Sequence, residues 1–182
     1  MNSTTVIADE VHAARHLCET GEWPELLDFA RRWQKNRPDD YLAFFYLAIA
    51  HTEIGQFMQA DTVYRQALAL NDSDAKVWGN LGELLYRRLR RRPEGIRCME
   101  QSLKLDPTDK LAWANLAYMV GRLGHHDQAV NFADRALALD SQFVEAYLLK
   151  GTAALALGKT EVLREVCSAL SAIPPEKFRR AR

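Results

Sequence analysis

The sequence predicts an all-α protein built from five helical hairpins laid one after another. Three observations carry that prediction. An aromatic-x-x-Leu-small signature returns every 34 or 35 residues, a glycine separates the halves of most units, and an aspartate precedes three of the following helices. A hairpin of this length cannot bury its apolar face alone, so copies stack to share one core.

The signature reads Phe44-x-x-Leu47-Ala48, Trp78-x-x-Leu81-Gly82, Trp113-x-x-Leu116-Ala117 and Tyr147-x-x-Lys150-Gly151, with a degenerate copy at Glu10-x-x-Ala13-Ala14. Its last residue is always alanine or glycine, as expected where two helix backbones must come close. A second pattern follows in each unit: Ala60, Tyr64 and Ala67 return as Gly95, Met99 and Ser102, then as Ala129, Ala133 and Ala136. Between the halves stand Gly21, Gly55, Gly124 and Gly158, suited to a positive φ at a helix C-terminus. Pro38, Asp72, Pro107, Ser141 and Pro175 close the units, and Asp40, Asp74 and Asp109 are placed to cap the next helix. The repeats run over 7–40, 41–74, 75–109, 110–143 and 144–177, in a single domain over 1–182, with a short tail at 178–182.

The departures are specific. The first unit carries Leu26 and Trp33 where small residues stand in the second, and the fifth carries Leu163 and Leu170. Terminal units are expected to differ because one face lacks a neighbour. The third unit has one extra residue, and Arg87-Arg88-Leu89-Arg90-Arg91-Arg92-Pro93 replaces its glycine turn. Pro93 fits the first turn of the next helix, where its missing N–H costs little. The tail from Glu176 reads as a very short capping helix.

Bulk composition narrows the function classes. The 182 residues are 48% hydrophobic and 26% charged, enough to fill a core. Basic and acidic residues balance at 24 each, giving no global electrostatic footprint for nucleic acid. The N-terminus lacks the basic start and apolar run of a secretory signal, and the apolar stretch Leu42 to Ala50 is too short for a transmembrane segment. A cytoplasmic location is therefore expected. Cys18, Cys98 and Cys167 are odd in number and widely spaced, which fits buried thiols in a reducing compartment.

The period, the signature and the small–aromatic–small spacing together resemble the tetratricopeptide repeat family over nearly the whole chain, most closely at 112–140. The resemblance implies a right-handed superhelical solenoid whose first helices line a concave groove for a partner protein or peptide. Carried onto this sequence, the groove-facing positions are Val11, His12 and Arg15 in the first unit, and Leu42, Phe45, Tyr46 and Ile49 in the second. The third contributes Lys76, Asn80, Glu83 and Arg87, and the fourth Leu111, Asn115, Tyr118 and Arg122. The fifth contributes Leu148, Leu149, Thr152 and Leu155. Phe45, Tyr46 and Ile49 are not required by the packing signature, which makes them candidate apolar anchors.

Asn80 and Asn115 share a register in adjacent units, and an amide can pair with both groups of a peptide unit. They resemble the asparagine ladders of peptide-binding superhelices; the alternative is that they bond to neighbouring helices. Arg122 and Lys76 add charge for a partner carboxylate. The two-carboxylate clamp of heat-shock-protein adaptors is not matched, since Phe45 and Ile49 fall where its polar residues are needed. The arginine run at 87–92, with Arg179, Arg180 and Arg182, reads as a solvated turn or as an anion contact. It lacks interleaved aromatics for base stacking, so no nucleic acid partner is expected. His12 with His16, and His125 with His126, lack the further ligands of a metal site. Trp78 and Trp113 read as core residues. No phosphate loop or nucleophile–base pair is evident, so no enzyme and no cofactor are expected. The reading is an interaction scaffold or adaptor. Its alternatives are a secretion or assembly chaperone, and a homo-oligomer stacking through repeat ends near Trp23 and Trp33 or Leu163 and Leu170.

Overall fold

The structure, a computed structural model, describes residues 3–178. Every regular element among the described residues is helical. The first four helices are α1 (Ser3–Thr20), α2 (Trp23–Asn36), α3 (Tyr41–Glu53) and α4 (Phe57–Leu70). Next come α5 (Ala75–Arg87), α6 (Arg92–Leu105), α7 (Lys110–Gly121) and α8 (His126–Leu139). The chain ends with α9 (Val144–Ala156), α10 (Thr160–Ala172) and the one-turn α11 (Pro175–Phe178). No helix is long and apolar enough to cross a membrane, among the described residues. Two compact units divide the chain, residues 1–91 and 92–182, and the division falls between α5 and α6.

In the first unit, α2 lies between α1 and α3, and α4 between α3 and α5. The small signature residues Ala14 and Ala48 are fully buried, which lets the helices of each hairpin approach. The second hairpin fills its interior with Ala60, Tyr64 and Ala67, a small–large–small order, and all three are buried. At the matching positions the first hairpin has Leu26, Ala30 and Trp33, the reverse order, also buried. Inverting the order of sizes moves the bulk from the middle position to the outer two, and a close-packed interior must then fill around different side chains. Trp33 is 2% exposed, stacks on Tyr46 at 6.0 Å between ring centroids, and donates its indole N–H to Asp40 Oδ2 at 3.1 Å. The expectation of an exposed assembly surface at Trp33 is thereby corrected, and Trp23, Leu163 and Leu170 are half-buried.

In the second unit, α7 lies against α6, α8 and α9, and α9 against α8 and α10. Ala114, Ala136 and Ala146 form one core cluster, with Trp113, Leu137, Phe143 and Leu149 against it. A Cβ on Gly151 would meet Val166 Cγ1 at 3.3 Å, so α9 and α10 are nearly as close as an alanine permits.

The caps form as the sequence predicts. Asp40 accepts from Leu42 N, Asp74 from Lys76 N, and Asp109 from both Leu111 N and Ala112 N. The second oxygen of Asp74 also accepts from the Tyr41 hydroxyl at 3.1 Å, joining α3 to the start of α5. The signature aromatics behave differently from the core residues expected. Trp78, Trp113 and Tyr147 are half-buried, and each donates to a carbonyl six residues earlier: Asp72 O at 2.7 Å, Pro107 O at 2.9 Å and Ser141 O at 3.2 Å. They tie the turn between repeats to the helix that follows. The cysteines also differ from expectation: Cys98 is buried, but Cys18 is half-buried and Cys167 exposed. Burial, then Glu53 and Glu19, push the Cys18 thiol pKa up.

Gly21, Gly55, Gly124 and Gly158 all take positive φ, and the next N–H returns to a carbonyl five residues back, as in Gln56 N to His51 O at 2.8 Å. The third repeat must turn without glycine. Arg90 takes the left-handed conformation there, at φ 57°, and Arg91 N reaches six residues back to Leu85 O at 2.9 Å. The extra residue of this repeat is absorbed in that wider loop. A left-handed non-glycine residue costs about 1–2 kcal/mol, against the roughly 0.5–1 kcal/mol that glycine costs by freeing the unfolded chain. Arg90→Gly is therefore expected to stabilise the protein by about 0.5–1 kcal/mol, read as a higher denaturation midpoint in urea.

His51 is 6% exposed, with its Nδ1 2.6 Å from Gln56 Oε1. Burial lowers its pKa, and Arg31 adds to this while the Gln56 bond opposes it. The folded state thus favours the neutral ring. Stability from this residue is whole above the unfolded histidine value of about 6.5 and is lost as pH falls through it towards the lower folded value. The expected outcome is that the melting-temperature gap between wild type and His51→Asn narrows when pH is lowered from about 7.5 to about 5.5. A gap that does not change with pH contradicts it.

Candidate partner-binding clefts

Each unit carries a cleft where helices of successive hairpins meet. In the first unit, Ile49, Thr52 and Glu53 of α3, Tyr64 of α4, and Asn80, Glu83, Leu84 and Arg87 of α5, with Arg88 beyond its end, line about 220 Å³. Four residues expected to face the groove come together there: Ile49, Asn80, Glu83 and Arg87. The Tyr64 hydroxyl lies at the base of this cleft, hydrogen-bonded by the Thr52 and Asn80 side chains. Burial pushes its pKa far above the ordinary phenol value, and the two hydrogen bonds partly oppose that shift. Glu83 and Arg87 form an ion pair at 2.9 Å. The site is polar and largely self-satisfied.

Three expectations change on this geometry. Phe45 and Tyr46 are 7% and 6% exposed, not groove anchors: Phe45 lies against Tyr64 at 6.4 Å and Tyr46 against Trp33. Their helix, YLAFFYLAIAHTE, is apolar around its whole circumference, and a helix of that kind is buried on all sides. That signal was available in the sequence. Asn80 lines the first-unit cleft beside Tyr64. Asn115, in the second unit, is half-buried and is not among the residues lining the cleft there. Lys76 and Leu111 stand exposed on the first turns of α5 and α7, outside both clefts.

The second-unit cleft is larger, about 550 Å³, and mostly apolar. Tyr118 and Arg122 reach it from α7, and Leu149 and Thr152 from α9; all four were expected to face the groove. Ala117, Gly121, Ala129 and Ala153 make a floor of small side chains, and Gly124 and His126 complete the lining. Counting groove positions on first helices alone missed His126 and Ala129, which enter from the start of α8. The smallness of residues 117, 121, 129 and 153 is the sequence feature that opens the cleft. No acidic side chain lines it. Arg122 makes no ion pair among the described residues.

Three arginines of the run meet partners within the fold. Arg87 pairs with Glu83, Arg88 lies over the Phe57 ring at 5.3 Å, and Arg91 reaches Asp61 Oδ2 at 2.7 Å. Asp61 is 6% exposed and also accepts from Arg65 Nε at 2.7 Å. A buried carboxylate needs such partners, and this one clips the wide loop onto α4. Arg179, Arg180 and Arg182 lie outside the described residues.

Comparison with known proteins agrees with this architecture. The family model for the tetratricopeptide repeat matches residues 47–89 and 84–142, together more than half of the chain. Protein FlbA of Caulobacter vibrioides is 24% identical over 213 aligned positions, covering 96% of this chain. The chain spans only 36% of the length of that relative. Among solved structures, MamA superposes with a TM-score of 0.77 at 18% identity, over 92% of this chain and 95% of that one. YrrB, described as a TPR protein with an unusual peptide-binding site, gives 0.71 at 15% identity, over 88% and 82%. These likenesses establish a shared fold. With the repeat period, the paired helices and the family match in hand, the chain belongs to the tetratricopeptide repeat family.

Proposed function

We propose that this chain is a non-enzymatic interaction module that holds a segment of a partner polypeptide in the cleft bounded by α7, α8 and α9. The single observation behind this reading is the approximately 550 Å³ apolar cleft lined by Tyr118, Arg122, Leu149 and Thr152. Clefts of this size and character are typical ligand sites, apolar with a few polar groups. Family membership supports a scaffold role, and the peptide-binding site named for YrrB supports a polypeptide as the ligand. Tyr118 offers a ring and a hydroxyl, Leu149 and the alanines offer apolar contact, and Arg122 offers charge. The smaller cleft of the first unit adds Ile49, Glu83 and Arg87 as a secondary contact. A cytoplasmic setting is part of the proposal, supported by three cysteines that are all free thiols.

The test starts with affinity capture from the native extract, followed by titration of the purified partner against the full chain. Thr152 is exposed, so Thr152→Trp fills the cleft from its rim without disturbing the core. It is expected to weaken binding by about 1–2 kcal/mol with little change in melting temperature, and Tyr118→Ala by a similar amount. Lys76→Ala, outside the cleft, is expected to leave affinity unchanged. A partner indifferent to both cleft substitutions removes the cleft from the mechanism.

A further inference from the structure

Resting on the reading that this cleft binds a polypeptide, we infer that it selects an internal segment in which an Asp or Glu side chain adjoins a bulky apolar one. The apolar half of the requirement comes from the floor. Ala117, Ala129 and Ala153 are each at most 2% exposed, and their small side chains leave an apolar hollow beside Tyr118 and Leu149. The volume of about 550 Å³ leaves room for a branched or aromatic side chain.

The acidic half comes from the charges. Several described cations of the second unit are already engaged. Lys110 meets Asp140, Lys150 meets Asp134 at 2.8 Å, Lys159 meets Asp127 at 2.7 Å and Arg164 meets Glu161. Arg135 lies over the Trp113 ring at 6.0 Å. Among the described residues Arg122 stands at the cleft with neither an ion pair nor a ring, and Asp127, the acidic residue in the first turn of α8, is occupied by Lys159. The cleft therefore carries one uncompensated guanidinium and no carboxylate. Its position after the last turn of α7 also suits the helix dipole, a purely structural reason for a cation there. That reason makes no demand on a partner's charge, so the two roles separate by experiment.

An internal side chain fits better than a chain end. Capture of a terminal carboxylate uses several convergent donors in an enclosed nest. Here a single exposed guanidinium stands at the site. Such a group reads charge on a chain passing across the opening, and it chooses between partners more than it adds affinity.

The test uses the uniformly ¹⁵N-labelled full chain and four synthetic peptides of equal length. Three have acetylated and amidated ends and carry a central Phe flanked by Asp, by Asn or by Lys. The fourth carries Asn flanks and a free C-terminal carboxylate. The Asp peptide is expected to shift the amides of Gly121, Arg122 and Thr152 and to bind about tenfold more tightly than the Asn peptide, with the difference shrinking in high salt. Arg122→Glu is expected to reverse the order in favour of the Lys peptide, with an unchanged circular dichroism spectrum. Equal binding of the Asp and Asn peptides at those amides overturns the charge selection and leaves the cleft as a polypeptide site. Preference for the free carboxylate overturns the internal segment. If none of the four shifts a cleft amide, this inference falls together with the reading it rests on. Shifts confined to other amides have the same consequence.

Discussion

The distance between two helix backbones within a hairpin sets what every other side chain can do. Alanine or glycine at the end of each signature lets the first helix lie close to the second, and Gly151 against Val166 shows how little space remains. Large side chains fill the space that is left: Tyr64, Met99 and Leu116 are all almost completely buried. Hydrophobic burial then works across repeats, which is why one hairpin alone has no core and a row of them does. The same spacing, combined with small residues on α7, α8 and α9, leaves the larger of the two clefts.

Much of this architecture was legible from residue spacing. The period located the hairpins, and the aspartates and glycines marked helix starts and turns because each meets a local backbone requirement that few other residues satisfy. Burial was legible less evenly. A groove position inferred from family register assumes an average repeat, and the second hairpin is not average. The indole of Trp33 occupies the space beside α3 and draws Tyr46 inward, and Tyr64 does the same to Phe45. Tyr118 and Arg122 line the second-unit cleft, where small neighbours leave space beside them.

Polar groups in the first unit are spent on the fold. Asp61 gathers two arginines, His51 holds Gln56, and Glu83 pairs with Arg87 at the cleft. Unpaired polar groups at buried sites are costly, so a network of this kind resists rearrangement. The second unit keeps its charge pairs near the surface and its cleft mostly apolar. A mostly apolar surface can exchange water for a ligand at small cost.

The inverted order of sizes in the opening hairpin has a consequence for how such a chain can lengthen. Leu26, Ala30 and Trp33 are complementary to the particular rings of α3, and the later hairpins carry a different set of projections. A duplicated copy of the second hairpin, inserted ahead of itself, would set alanines where an indole now stands and leave Tyr46 facing a void. The first junction is thus keyed, and growth by copying is open only where neighbouring hairpins share one order of sizes.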